Sequence, residues 1–288
     1  MIKYNPKTWF RPIFSFRKSD TFAIIWKEMV YIFLLTIGLT YAELNYFPGI
    51  VEWNELLSVY SLIGFVLSLL LVFRTNTAYD RWWEGRKKWG ELVNNTRNLA
   101  SKIASLSNDP ETRAYFARMI PNYAIAMKEH LRQGVDLDEL NLTKEEREIL
   151  EKSNHRPNII STWIYQAVRN MKKHENLSEE EILLLDINLK TFADIIGACE
   201  RIKNTPIPYS YSIFLKKFIF IYVTTIPLAI ITWFGYFSCL ITVFIFYVLV
   251  SLEILAEEIE DPFGKDDNDL PTDDLAYKIK ANVEEILA

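Results

Sequence analysis

Charge is missing from three stretches of this 288-residue chain: Met29 to Ala42, Leu56 to Phe73 and Phe218 to Leu252 contain no Asp, Glu, Lys or Arg. Charged residues are ordinary elsewhere, so the mean hydropathy of +0.04 averages two solvents that position separates. Cysteine is scarce as well. Cys199 and Cys239 fall on opposite sides of the membrane boundary implied by these runs, so no disulfide is expected. His130, His155 and His174 are scattered, lack the spacing of a zinc-ligand set, and each reads as a surface or packing residue. The nine glycines form no phosphate-cradling loop and no Ser lies in a nucleophile elbow, so an enzyme is not expected. The chain also has no internal repeat, no low-complexity linker, and no short apolar core before a small-residue cleavage site. Neither a removable signal peptide nor a nucleic-acid partner is expected.

What is present is apolar length. A helix rises about 1.5 Å per residue against a hydrocarbon core of about 30 Å, so Phe218 to Leu252 is too long for one crossing and long enough for two. Gly235 marks the expected hairpin tip. Four spans follow, roughly Phe22 to Ala42, Leu56 to Phe73, Phe218 to Trp233 and Tyr236 to Leu252. Lys3, Lys7, Arg11, Arg17, Lys18 and Lys27 come early, and every other cation lies at Arg74 or beyond. The connectors Glu43 to Glu55 and around Gly235 contain none, so the positive-inside rule puts them outside a cell membrane and both termini in the cytoplasm.

The chain therefore divides into a cytosolic amino-terminal segment (1–21), spans one and two (22–73), a cytosolic helical domain (74–217), spans three and four (218–252), and a cytosolic tail with an acidic loop and a helix (253–288). No helix breaker separates Leu69-Leu70-Leu71-Val72-Phe73 from Arg74-Thr75-Asn76-Thr77, so span two should continue into water as one helix. Tyr79, Trp82, Trp83, Trp89, Leu92, Val93, Thr96, Leu99, Ala100 and Ile103 recur at three- and four-residue steps, and Asn108-Asp109-Pro110 ends that run. Further helices are expected over Glu111 to Arg132, bent or split at Pro121, then Thr143 to Lys152, Ser161 to Lys173, and from Ser178 to about Lys203. Ser178 with Glu181 has capping-box spacing. Thr205-Pro206-Ile207-Pro208 redirects the chain into span three.

Three separated motifs carry a resemblance. The stretch Phe73 to Arg86, with Arg74-Thr75-Asn76-Thr77-Ala78-Tyr79-Asp80-Arg81-Trp82-Trp83, resembles the bestrophin channels. So do Gly197-Ala198-Cys199-Glu200-Arg201 with Thr205-Pro206-Ile207-Pro208-Tyr209, and Glu260-Asp261-Pro262-Phe263-Gly264. The likeness spans nearly the whole chain in order and is closest to compact prokaryotic members.

The resemblance implies an all-α membrane protein, a homopentamer around one axial pore that passes small monovalent ions. Its neck consists of three apolar residues one turn apart after a glycine in span two. After Gly64 these positions match Phe65, Leu69 and Phe73. Such rings can gate by dewetting, while ordinary lipid-facing packing is the plainer role for any apolar residue there. Ser61, Gly64 and Ser68 form a neighbouring stripe of small residues suited to close helix approach. A second, cytosolic aperture of the family aligns with Glu180, where relatives carry an aliphatic residue. Carboxylates there attract cations, although Glu179, Glu180 and Glu181 also suit the first turn of a helix on dipole grounds alone.

The family also has a calcium clasp in the loop after span four, completed by backbone from a neighbouring subunit's amino-terminal segment. Its side chains match Glu258, Asp261, Asp266 and Asp269, and animal members carry amides at the first two. An acidic solvated turn before a final helix, capped by Thr272, accounts for the same residues without an ion. Family precedent favours chloride and other anions; Glu180 and a net charge of -5 favour monovalent cations such as sodium. A secondary transporter has only Thr224, Thr225 and Pro227 in its favour, and a membrane-anchored scaffold would conduct nothing.

Overall fold

A computed structural model of the chain describes residues 21–46, 54–134 and 136–288, with the side chains of 54 and 55 undescribed. The amino-terminal segment, most of the first connector and the expected amino-terminal part of the clasp thus lie outside the described residues. All described elements are helical. They are α1 (Thr21–Tyr46), α2 (Asn54–Leu106), α3 (Pro110–Leu131), α4 (Lys144–Glu151), α5 (Arg156–Glu175), α6 (Glu179–Asn204), α7 (Tyr209–Thr225), α8 (Pro227–Phe234), a 3-10 turn (Gly235–Phe237), α9 (Ser238–Glu260) and α10 (Thr272–Leu287).

Helix α2 is the axis of the molecule. Its 53 residues run unbroken from the apolar stretch through Arg74 into the polar half, about 80 Å at 1.5 Å per residue. Two cores form along it, one for each solvent. In the apolar half Leu67 and Leu71 pack with Ile25 and Ile32 of α1, Leu215 and Ile219 of α7, and Phe246 and Leu249 of α9. In the polar half Trp89, Leu92, Leu99 and Ile103 meet Phe116 and Tyr123 of α3, Leu189 and Phe192 of α6, and Ile279 and Val283 of α10.

Three stretches are long and apolar enough to cross a membrane: Thr21–Tyr46, Leu56–Leu106 and Tyr209–Glu260. The third is a hairpin. Lys216 Nζ in the middle of α7 lies 2.9 Å from Glu257 Oε2 near the end of α9, so the chain has folded back on itself around Gly235, whose φ of +50° suits a residue without a Cβ. Pro227 interrupts the ascending arm, dividing it into α7 and α8, because proline supplies no amide to the ladder.

Several local expectations shift. Pro121 does not split α3: it is buried within one continuous helix, where packing by Ile120, Tyr123 and Ala124 outweighs one lost hydrogen bond. Helix α5 begins at Arg156, five residues before Ser161, since Pro157 suits the first turn and His155 Nδ1 accepts from the Asn158 amide. Thr272 does not cap α10. It is already helical, follows Pro271, and accepts a hydrogen bond from Arg132 Nη2 at 2.9 Å instead. The Ser178–Glu181 capping box forms on both sides, as Thr143 and Glu146 do on α4.

Candidate functional site

In the membrane half of α2, the buried stripe Leu67, Leu71, Arg74 and Ala78 faces the chain's own helices. Phe65, Leu69 and Phe73 occupy the opposite stripe at four-residue steps, and they are 66%, 44% and 56% exposed. One chain alone leaves this apolar face uncovered. Gly64 does not share that open face. A Cβ there would lie 2.6 Å from the Tyr222 hydroxyl, so the glycine seats α7 against α2. Ser61 and Ser68 are exposed and donate to the carbonyls of Leu57 and Gly64 within their own helix.

Where α2 leaves the apolar half, the three motifs meet. Arg81 donates through Nε to the Glu260 carbonyl at 3.1 Å and through Nη1 to the Thr205 carbonyl at 2.6 Å; Nη2 reaches the Ile202 carbonyl. The Ile207 amide donates to Glu260 Oε1 at 2.6 Å, and Arg74 Nη1 lies 2.7 Å from Glu260 Oε2. Trp82 Nε1 donates to the Asn268 carbonyl at 3.1 Å. Gly85 lets the Phe263 ring approach: a Cβ there would sit 3.1 Å from two ring carbons. The charged exit from the apolar run is thus held by the ends of α6 and α9, with helix C-terminal carbonyls satisfied by one guanidinium.

Glu180 lies in the first turn of α6 and is exposed. Its own backbone amide, then the Ser178 hydroxyl, hold its carboxyl below the usual range, so it carries full charge at neutral pH.

The acidic loop is organised around Asp269. That side chain is 2% exposed; its Oδ2 accepts from the Asp266 amide at 2.7 Å, while Oδ1 has no hydrogen-bond partner among the described residues. Burial, reinforced by the charges of Asp266 and Asp261 against the Asp266 amide, pushes its carboxyl up to about 6. Gly264 makes room for it, since a Cβ there would lie 2.6 Å from Asp269 Oδ2. The other three expected ligands are engaged elsewhere or apart. Glu258 accepts from the Asn268 side-chain amide at 2.6 Å, and Asp261 pairs with Lys203 at 3.1 Å. Among the described residues no three of these four carboxylates bring their oxygens within 4.8 Å of one another. A hard cation fits the orphaned, buried Asp269 oxygen; the rest of the set is not gathered around it.

This chain matches the family described as Bacterial/Fungal Bestrophin protein over residues 1–285. It belongs to the bestrophin family. A relative in Nostoc, named a voltage-dependent anion channel-forming protein, is 37% identical over 77% of this chain and 74% of its own length. One from Ralstonia nicotianae with the same name is 29% identical over 97% of this chain and 92% of its own. The crystal structure of a bacterial bestrophin homologue from Klebsiella pneumoniae superposes with a TM-score of 0.82 at 26% identity, covering 91% of this chain and 98% of that one.

This bestrophin thus belongs among ion channels, not enzymes. Both cysteines are free and buried, and burial pushes the Cys199 thiol up to about 12, which keeps it protonated. His130 and His155, scattered along the sequence and expected as surface or packing residues, converge on one carboxylate oxygen of Glu200. Their separation along the chain carried no signal of this, because α3, α5 and α6 bring them together.

Proposed function

We propose that this bestrophin is a homopentameric ion channel of the cell membrane, with both termini cytoplasmic, selective for small anions such as chloride. The observation that carries the reading is the uncovered apolar stripe of Phe65, Leu69 and Phe73 on a helix that continues into the cytosolic body. Four helices of one chain fill their own centre with side chains, whereas one α2 from each of five copies can surround water. Three stacked apolar rings then form a neck that ions cross only when it is wet. Anion preference is supported by relatives named as anion channel-forming proteins.

Glu180 favours a second reading, a channel for monovalent cations. An exposed carboxylate held ionised at the start of α6 repels anions if five copies converge on one axis. For the acidic loop we propose a calcium ion held with Asp269 at its centre and Glu258, Asp261 and Asp266 drawn in around it. Bound calcium would neutralise this buried, half-paired carboxylate. The test of transport is ion efflux from chloride-loaded liposomes carrying purified protein. Chloride release with Glu180→Gln unchanged supports the anion reading, sodium release abolished by Glu180→Gln supports the cation reading, and no release of either sinks both.

A further inference from the structure

His130 ends the last turn of α3, His155 precedes the first turn of α5, and Glu200 lies in the last turns of α6. Glu200 Oε1 is 2.7 Å from His130 Nε2 and 2.8 Å from His155 Nε2, and the two imidazoles lie 4.4 Å apart between centroids, tilted by 35°. The three side chains are 27%, 30% and 29% exposed, so the cluster is walled by protein and open to water on one side. Among the described residues no Lys or Arg pairs with Glu200, although it sits near a helix C-terminus, where a carboxylate is disfavoured by the dipole. A carboxylate in that position, facing two imidazole nitrogens and no permanent cation, is short of positive charge.

We infer that His130, His155 and Glu200 form a binding site for a divalent transition-metal ion of the zinc class, with water completing its coordination. Two imidazoles and one carboxylate are a donor set that zinc and its neighbours accept, and they leave a fourth position open. The set differs in kind and place from the oxygen-only acidic loop. Ligand bonds of about 2.0–2.2 Å in a tetrahedral site require ligand atoms about 3.3 Å apart. The present 2.7 and 2.8 Å separations therefore open by roughly half an ångström on binding, a rotamer-scale adjustment.

The protons balance. In the metal-free arrangement His155 Nδ1 accepts from the Asn158 amide at 3.3 Å, so Nε2 carries the ring proton and donates it to Glu200. Metal ligation by Nε2 moves that proton to Nδ1 through solvent and gives up the Asn158 contact. Asn158 is exposed, so water takes over its amide. His130 Nε2 likewise donates to Glu200 in the metal-free arrangement, so its proton also moves to Nδ1 through solvent when Nε2 takes the metal. A bound ion joins three helices one turn before Thr205 and Pro206 hand the chain to α7, where Arg81 also holds the end of α6.

The test is calorimetric titration of tag-free, chelator-stripped, detergent-solubilised protein with zinc alone, in excess calcium so that the acidic loop does not compete. One zinc per chain is expected, weakened at least about tenfold by His130→Ala and by Glu200→Gln and unchanged by His174→Ala, the chain's third histidine. Cobalt titration of the unaltered protein provides a readout that needs no variant: the intense visible bands of a four-coordinate ion are expected, quenched by zinc. Absence of zinc uptake at millimolar metal, uptake indifferent to His130→Ala and Glu200→Gln, or only the weak spectrum of aqueous cobalt would overturn the proposal.

Discussion

Arg74 Nη1 lies 2.7 Å from Glu260 Oε2, and Arg74 Nε lies 3.6 Å from Glu253 Oε2, where α2 leaves its apolar run. Arg74 and Glu253 are 1% and 3% exposed, and neither Nε nor Nη1 makes an aligned hydrogen bond, so the contact is ionic attraction in a poorly solvated place. It joins α2 to α9. Arg74→Met removes the cation that Glu253 and Glu260 share and should cost about 3–5 kcal/mol. Thermal unfolding in detergent reads it directly; a midpoint equal to that of the unaltered protein would contradict the role given to Arg74.

The proposed neck behaves differently, because its side chains are exposed and contribute little to the fold of one chain. Replacing Phe65, Leu69 and Phe73 together by alanine should raise single-channel conductance or leak several-fold, since shorter apolar rings wet more easily. The same variant should still fold, as all three residues are exposed on the single chain. Unchanged current from the folded triple variant removes them from the pore.

Much of this architecture was legible because helix α2 has no breaker between Phe73 and Arg74, and because long uncharged runs have few other uses. Residue pairs across helices were not legible. Gly85 against Phe263, and Arg81 against the carbonyls of Ile202, Thr205 and Glu260, turn three motifs into one junction. The motifs marked the place; only packing supplied the contacts. Pro121 leaves α3 unsplit because the core around it offsets a local propensity, and Thr272 caps no helix because a side chain suited to capping found Arg132 first. The histidines were invisible for the opposite reason: metal-ligand spacing on one element is a sequence signal, whereas one ligand from each of three helices is not.

Asp273 gives the fold a pH dependence with a definite sign. Its hydrogen bonds from Arg132, at 2.7 and 2.8 Å, and from Lys128, against a smaller effect of burial, hold its carboxyl far below the usual range. A carboxyl lowered in the folded state contributes stability that is fully present above its unfolded pKa of about 3.9 and is lost as pH falls through the folded value. Asp273→Asn should therefore be less stable than the unaltered protein at pH 7, with the gap closing in acid below about pH 3.9. Salt should narrow the gap too, because Asp273 is half exposed. A gap that stays constant from neutral pH into strong acid would exclude this ion pair as its source.

Calcium should raise the thermal midpoint of the unaltered protein, and a chelator should lower it again, because only the folded chain encloses Asp269. Asp269→Asn should abolish the calcium response. Its own midpoint without calcium should equal or exceed that of the unaltered protein, since an amide replaces a buried, half-paired carboxylate. No shift at millimolar calcium would leave the loop an acidic turn and nothing more.

The most direct test is current through purified protein in a planar bilayer with asymmetric chloride salt. Discrete currents reversing near the chloride equilibrium potential are predicted. Reversal near the cation's potential would overturn anion selectivity and point to Glu180, and a silent bilayer would contradict the channel itself.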